Sequence, residues 1–137
     1  MIEKKARQLA LAIVLIHLAA SFVHGTAHSL ANVMLSLFGS FYVFLVSTIG
    51  PLIAVILLYT KVHSIGAWTF TLTMAGSFCF GVFYHFILAG SDNVINVHGP
   101  WHSLFTWSAI VIAILEFVGT VFGVWLIRTS RNRTSSD

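Results

Sequence analysis

Four long apolar stretches alternate with short polar segments along the chain. They cover about residues 8–28, 33–60, 64–90 and 101–127. Each is long enough to cross a bilayer as a helix, which takes roughly 20 mostly apolar residues. Short connections favour antiparallel neighbours in a helical bundle. The pattern therefore predicts an all-α integral membrane protein, an antiparallel bundle of four transmembrane helices.

The composition excludes several other classes of protein. Hydrophobic residues make up 58% of the 137 positions and charged residues only 8%, whereas a soluble domain is about 25% charged. So few charges cannot cover a water-facing surface, and the chain is too apolar to be disordered. The single cysteine, Cys79, excludes a disulfide framework and a cysteine-ligated metal site. The basic residues form no patch, so we expect no nucleic-acid partner.

The basic residues predict the orientation of the four spans. All seven Lys and Arg flank the same side of the predicted bundle, at positions 4, 5, 7, 61, 128, 131 and 133. Basic residues favour the cytoplasmic side, so both termini are predicted in the cytoplasm and the protein in the plasma membrane. His17 interrupts the first apolar stretch, which we interpret as a retained helix rather than a signal peptide. Residues 1–128 then form one domain, and 129–137 a flexible cytoplasmic tail.

Polar residues inside the spans suggest where function resides, because burying them in lipid is costly. His17, His24 and His28 share one helical face. Glu116 is the only acidic residue within a span and is expected to approach His17 near mid-bilayer. We consider three states for it: a structural hydrogen bond to His17, a proton or cation relay, and a lone neutral acid. Gly50-Pro51 predicts a kink in the second span.

Histidines cluster at the predicted extracytoplasmic end. The pattern H-G-x-x-H-S-L occurs at residues 24–30 and again at 98–104, and His85 reaches the same end from the third span. Two histidines four residues apart on a helix can share one ion, and neutral imidazole suits copper, zinc and iron. Pro100 suits a first helical turn, so His98 is the less regular ligand. The predicted ligands are His24, His28, His85, His98 and His102, and the predicted second-shell or relay residues are His17, Glu116 and Asp92.

The sequence predicts a transition-metal protein for metal handling or redox chemistry, and it leaves four alternatives open. The histidines could bind loop carbonyls without a metal, or ligate haem b in an electron-transfer subunit of a respiratory complex. The chain could instead be an ion or metal transporter, or a structural subunit without cofactor. No nucleophile–base pair is evident, so a stand-alone hydrolase is excluded, whereas a metal- or haem-dependent oxidoreductase subunit is not. The expected partners are the lipid bilayer and either further copies of this chain or a larger membrane complex.

Overall fold

The computed structural model describes residues 4–134, which form four long helices and no strand. The helices are α1 (Lys4–Leu30), α2 (Leu37–Leu58), α3 (His63–Ile87) and α4 (His102–Thr134). Each is long and apolar enough to cross a membrane. The prediction of an all-α protein with four such helices is confirmed. Most helix ends lie within a few residues of the expected positions.

The end of α4 differs from the expectation. A flexible tail was predicted from residue 129, but the helix continues to Thr134, and residues 135–137 lie outside the described part of the chain. No Gly or Pro follows Ile127 to stop the helix. The hydroxyls of Thr129 and Ser130 also donate to the carbonyls of Trp125 and Ile127, at 2.9 and 2.8 Å. These hydroxyls bond to carbonyls of their own helix, as Thr and Ser in a helix commonly do.

Neighbouring helices run in opposite directions. α4 packs between α1 and α3, and α3 packs between α2 and α4. Two glycines one helical turn apart, Gly119 and Gly123, allow α4 to approach α3 closely. A Cβ atom added at Gly123 would lie 2.9 Å from the Cα of Thr71, and one added at Gly119 would collide with Met74. Small residues at this spacing let helix backbones pack directly against each other.

Two apolar clusters lie at opposite ends of the bundle, with polar groups between them. The larger cluster is at the end that carries the termini and includes Val14, Leu58, Phe70, Met74 and Leu126. The smaller one, at the opposite end, consists of Ala27, Val33, Val97 and Phe105. Buried polar pairs bridge the helices between the two clusters. His17 contacts Glu116, and Ser77 donates to Ser47.

α2 and α3 each contain a stretch of wider, π-helical turns. In α2 this stretch is Val43–Ile49, and the N–H of Gly50 donates to the carbonyl of Leu45, five residues back. Pro51 follows and has no N–H to donate, so the wider turns occur where the sequence predicts a kink. In α3 the stretch is Phe83–Ile87, closed by the Leu88 N–H donating to Phe83 at 2.7 Å. Such turns are frequent at functional sites.

Candidate metal centre

Three imidazoles converge at the end of the bundle opposite the termini. His24 and His28 lie one turn apart on α1, and His85 lies in the π-helical end of α3. The Nε2 atom of His24 is 3.0 Å from Nε2 of His85 and 3.2 Å from Nε2 of His28. All three residues are buried, and one nitrogen from each lies within 4.8 Å of the other two. We call these three residues the histidine triad.

The outer nitrogens of two triad residues contact backbone carbonyls. Nδ1 of His28 lies 3.0 Å from the carbonyl of Val33, and Nδ1 of His85 lies 3.0 Å from the carbonyl of Asp92. A carbonyl oxygen only accepts, so each Nδ1 carries the hydrogen. In a neutral imidazole the other nitrogen is then a bare lone pair. Both Nε2 atoms therefore present lone pairs to the centre of the triad.

Ser108 is placed to support the same tautomer of His24. Its hydroxyl lies 2.7 and 3.0 Å from the carbonyls of Leu104 and Phe105, to which it can donate its hydrogen. With that hydrogen directed to a carbonyl, the hydroxyl oxygen accepts from His24 Nδ1, 2.8 Å away. All three imidazoles are thus oriented by an oxygen on their outer nitrogen, as metal-bound histidines usually are.

The inner nitrogen of His24 lies near the spacing from the other two that a metal ion would require. Lone pairs facing each other at 3.0 and 3.2 Å repel unless a proton or a metal cation lies between them. Nitrogens that bind a tetrahedral zinc ion at 2.0–2.1 Å lie about 3.3–3.4 Å from one another. The triad could therefore hold a transition-metal ion with little rearrangement.

A local turn at the end of α1 positions His28. Asn32 has a positive φ of 55°, and the N–H groups of Asn32 and Val33 donate back to Ser29 and His28. This is the Schellman arrangement, in which an Asn or Gly in the left-handed conformation ends a helix. The turn directs the Val33 carbonyl at the imidazole of His28, so the helix ending and the orientation of this histidine are linked.

The loop of residues 88–101 folds back over the triad and buries Asp92. Its Oδ1 lies 3.4 Å from Nε2 of His28 and from Nδ1 of His85, and neither carboxylate oxygen has a hydrogen-bond partner. Burial raises the pKa of the Asp92 carboxyl, but the nearby His85, His28 and His24 outweigh it and bring the pKa below its usual range. An ionised, unpartnered carboxylate 3.4 Å from two of the imidazoles can balance the charge of a bound cation and leave its fourth position open.

Two asparagines hold this loop in place. Nδ2 of Asn93 donates to the carbonyl of Leu88 at 3.0 Å, and Oδ1 of Asn93 accepts from the N–H of Ile95 at 3.1 Å. Nδ2 of Asn96 donates to Gly90 at 2.8 Å. The asparagines therefore brace the loop that carries Asp92.

The other predicted site residues lie elsewhere. His98 and His102 are exposed and are not brought into the triad. Nε2 of His102 lies 3.4 Å from the hydroxyl of Thr106, on its own helix. His17 and Glu116 do meet, with Nε2 to Oε1 at 3.1 Å, and both are buried. The pairing considered from the sequence is thus present, deeper in the bundle than the triad.

Two groups that shape the site carry no obvious signal in the sequence. Ser108 orients His24, and it lies eight residues before Glu116 on the inner side of α4. Phe105 is fully buried, and its ring centroid lies 4.8–5.5 Å from those of the three imidazoles. One signal was available for Phe105, which lies 11 residues before Glu116 and is therefore close to it in helical phase.

The geometry of the triad does not match haem ligation. Two imidazoles that bind one iron from opposite faces of a porphyrin hold their nitrogens about 4 Å apart, with the macrocycle between them. Here the nitrogens of His24 and His85 lie 3.0 Å apart and Phe105 packs against both rings.

In comparisons with known proteins, the chain matches no family model, no curated protein and no solved structure.

Proposed function

We propose that this protein is a multi-pass plasma-membrane protein that binds one transition-metal ion through His24, His28 and His85, for metal handling or redox chemistry. One observation carries the proposal. Each imidazole has an oxygen within 3.0 Å of its outer nitrogen, and Nε2 of His24 lies 3.0 Å from Nε2 of His85 and 3.2 Å from Nε2 of His28. Only a cation or a proton resolves that arrangement, and the nearby carboxylate of Asp92 favours a cation. Imidazole ligands suit zinc, copper and iron.

The proposed orientation rests on charge. Basic residues flank only the end of the bundle that carries the termini, which favours a cytoplasmic location for that end. The histidine triad then lies at the extracytoplasmic end, where ions outside the cell have access. The apolar outer faces of the helices would contact lipid. A reporter enzyme that works only in the cytoplasm should be active when it is fused to the C-terminus. Activity of a fused reporter that works only outside the cell would show that the orientation is the opposite one.

Metal analysis of the detergent-purified protein tests the proposed function. We expect one zinc, copper or iron ion per chain in the wild type and loss of the ion in His24→Ala, His28→Ala and His85→Ala. His63→Ala is the matched control, because His63 begins α3 at the opposite end of the bundle. His102→Ala should also retain the ion, since His102 is exposed. Circular dichroism verifies that each variant is folded.

Two results would contradict the proposal. One is a wild-type protein that takes up no ion even after growth and dialysis with zinc, copper and iron. The other is full metal content in the folded His85→Ala variant. Metal loss in His102→Ala alone would move the site to the exposed histidines.

A further inference from the structure

A pocket of about 290 Å³ lies directly beneath the histidine triad. Side chains of α1, α2, α3 and α4 line it. Its polar lining includes His24, His28, Ser21, Ser47, Ser77 and Glu116. Apolar side chains complete the wall, among them Val43, Phe80 and Ile112. The volume is near the lower end of the range for small-molecule sites, about 300 Å³.

Glu116 contributes an unsatisfied oxygen to this pocket. Its Oε1 contacts His17, but its buried Oε2 has no hydrogen-bond partner, and the residue is only 3% exposed. Oε2 is directed toward Gly81, where an added Cβ atom would lie 3.6 Å away. Gly81 also lines the pocket. A buried carboxylate oxygen without a partner is costly, so a ligand that donates a hydrogen bond fits at this end.

The opposite end of the pocket reaches the metal-binding nitrogens. His24 and His28 line the pocket, and three imidazoles leave one position free on a tetrahedral ion. An open position is typical of metal sites that bind a substrate rather than only stabilise the fold. His17, the partner of Glu116, lies seven residues before His24, about 10 Å along the helix axis. The pocket thus has a hydrogen-bond acceptor at one end and a metal position at the other.

The side of the pocket between α1 and α2 leads outward through apolar surface. α1 packs on the Gly50–Leu58 part of α2, while the π-helical stretch stands away from it. The crevice between them is lined by Leu18, Phe22, Thr26 and Val43, among others, and Phe22 is 78% exposed. In a bilayer this opening would face the lipid chains, so a lipid-soluble molecule has direct access.

We propose that this pocket binds a lipid-soluble quinol, a para-dihydroxy aromatic ring with an apolar tail. One hydroxyl donates to Glu116 Oε2, the other reaches the open metal position, and the tail leaves between α1 and α2. Among the described side chains no Lys or Arg lines the pocket, so an anionic phosphate head is disfavoured beside Glu116. The metal end of this proposal rests on the proposed function, whereas the Glu116 end does not.

Cobalt-loaded protein in detergent tests the quinol proposal. Cobalt(II) substitutes for the ion and reports its ligands by visible absorption. Decylhydroquinone, added without oxygen, should shift the cobalt bands and bind at least about tenfold more tightly than decylbenzene, which has no hydroxyl. Decylphenol, with one hydroxyl, should have an intermediate affinity. A cobalt spectrum that decylhydroquinone leaves unchanged, or equal affinity for decylbenzene, would overturn the proposal.

Variants separate this pocket from the metal site. Glu116→Gln should weaken decylhydroquinone binding about tenfold and retain cobalt. Gly81→Leu should fill the pocket and abolish binding, while Val82→Leu, the neighbouring position outside the lining, should not. Wild-type affinity in both Glu116→Gln and Gly81→Leu would refute the site. If the wild type takes up no cobalt, the metal proposal fails, and calorimetry of the metal-free protein against Glu116→Gln still decides whether Glu116 binds a quinol.

Discussion

The imidazoles of His24 and His85 face each other nitrogen to nitrogen across 3.0 Å, although 61 residues separate them in the chain. Their outer N–H groups are already bonded, to the Ser108 hydroxyl and the Asp92 carbonyl. Neither ring can turn to relieve the contact without losing one of these hydrogen bonds. The oxygens behind the imidazoles are therefore expected to influence metal affinity as strongly as many direct ligands do.

Replacing Ser108 with Ala should weaken metal binding. The substitution removes the acceptor for His24 Nδ1–H and frees the ring to rotate. Loss of such a partner typically lowers metal affinity 10–100-fold, which competition with a chromophoric chelator would measure. Ser103→Ala, an exposed serine on the same helix, is the control. Equal affinity in the two variants would mean that Ser108 does not orient His24.

Zinc affinity should depend on pH through the imidazoles rather than through Asp92. Each inner nitrogen must be unprotonated to bind, so zinc affinity should fall as the pH is lowered and the imidazoles take up protons. Despite its burial, the Asp92 carboxyl has a pKa below its usual range because of the nearby imidazoles, so this carboxylate is ionised at neutral pH. Its stabilising effect is lost only as the pH falls further, through its pKa in the folded protein.

The same titration with Asp92→Asn separates the two effects. Zinc affinity should be lower at every pH, because a negative charge beside the ion is lost, but its slope with pH should not change. A wild-type affinity that does not fall at any pH down to acid unfolding would contradict binding through neutral imidazoles.

Two glycines on helices should respond in opposite ways to Ala. Gly123→Ala places a methyl group against Thr71 and should lower the free energy of unfolding by about 1–3 kcal/mol. Gly25→Ala meets no atom within 4 Å and should be neutral or stabilising by up to about 1 kcal/mol. Thermal unfolding in detergent, followed by circular dichroism, gives both values. A stable Gly123→Ala variant would show that α3 and α4 are not in close contact there.

The turn that ends α1 should tolerate Gly but not Ala at position 32. Asn32 has a φ of 55°, a conformation that costs most L-residues about 1–2 kcal/mol. Asn32→Ala should therefore lower the melting temperature, and it should weaken zinc binding because Val33 holds His28. Asn32→Gly should keep both properties close to the wild type. Identical zinc affinity in the two variants would show that the turn at Asn32 does not affect zinc binding.

Much of the fold follows from apolar length, and part of the site follows from helical phase. His24 and His28 are four residues apart, and His17 lies two helical turns before His24 on the same face. The burial of all three was therefore predictable. Glu116 had to find a partner because an isolated carboxylate in an apolar span is costly. Its Oε1 lies 3.1 Å from Nε2 of His17, while Oε2 of Glu116 and Nδ1 of His17 have no hydrogen-bond partner.

Asp92 was a predicted neighbour of the site, but the geometry that brings it to the triad was not predictable, and the same holds for two features of α4. Asp92 reaches the triad because its loop folds back through Asn93 and Asn96, and a pattern of helical positions carries no information about such a path. His102 repeats the spacing of His28 within H-G-x-x-H-S-L, yet it is exposed at the first turn of α4. The role of Ser108 depends on where its own hydroxyl hydrogen points, which only the packed helix determines.

The direction in which His85 points depends on the number of residues in the π-helical turn at Phe83–Ile87. One extra residue in a turn rotates everything beyond it by about 100° relative to the helix below. The lower part of α3 keeps its contacts with α4 in phase, while His85 is turned toward α1. Shortening this turn by a single residue would leave the packing of Met74 against Gly119 unchanged and carry the imidazole away from its partners. In this helix, register alone decides whether the His85 imidazole reaches His24.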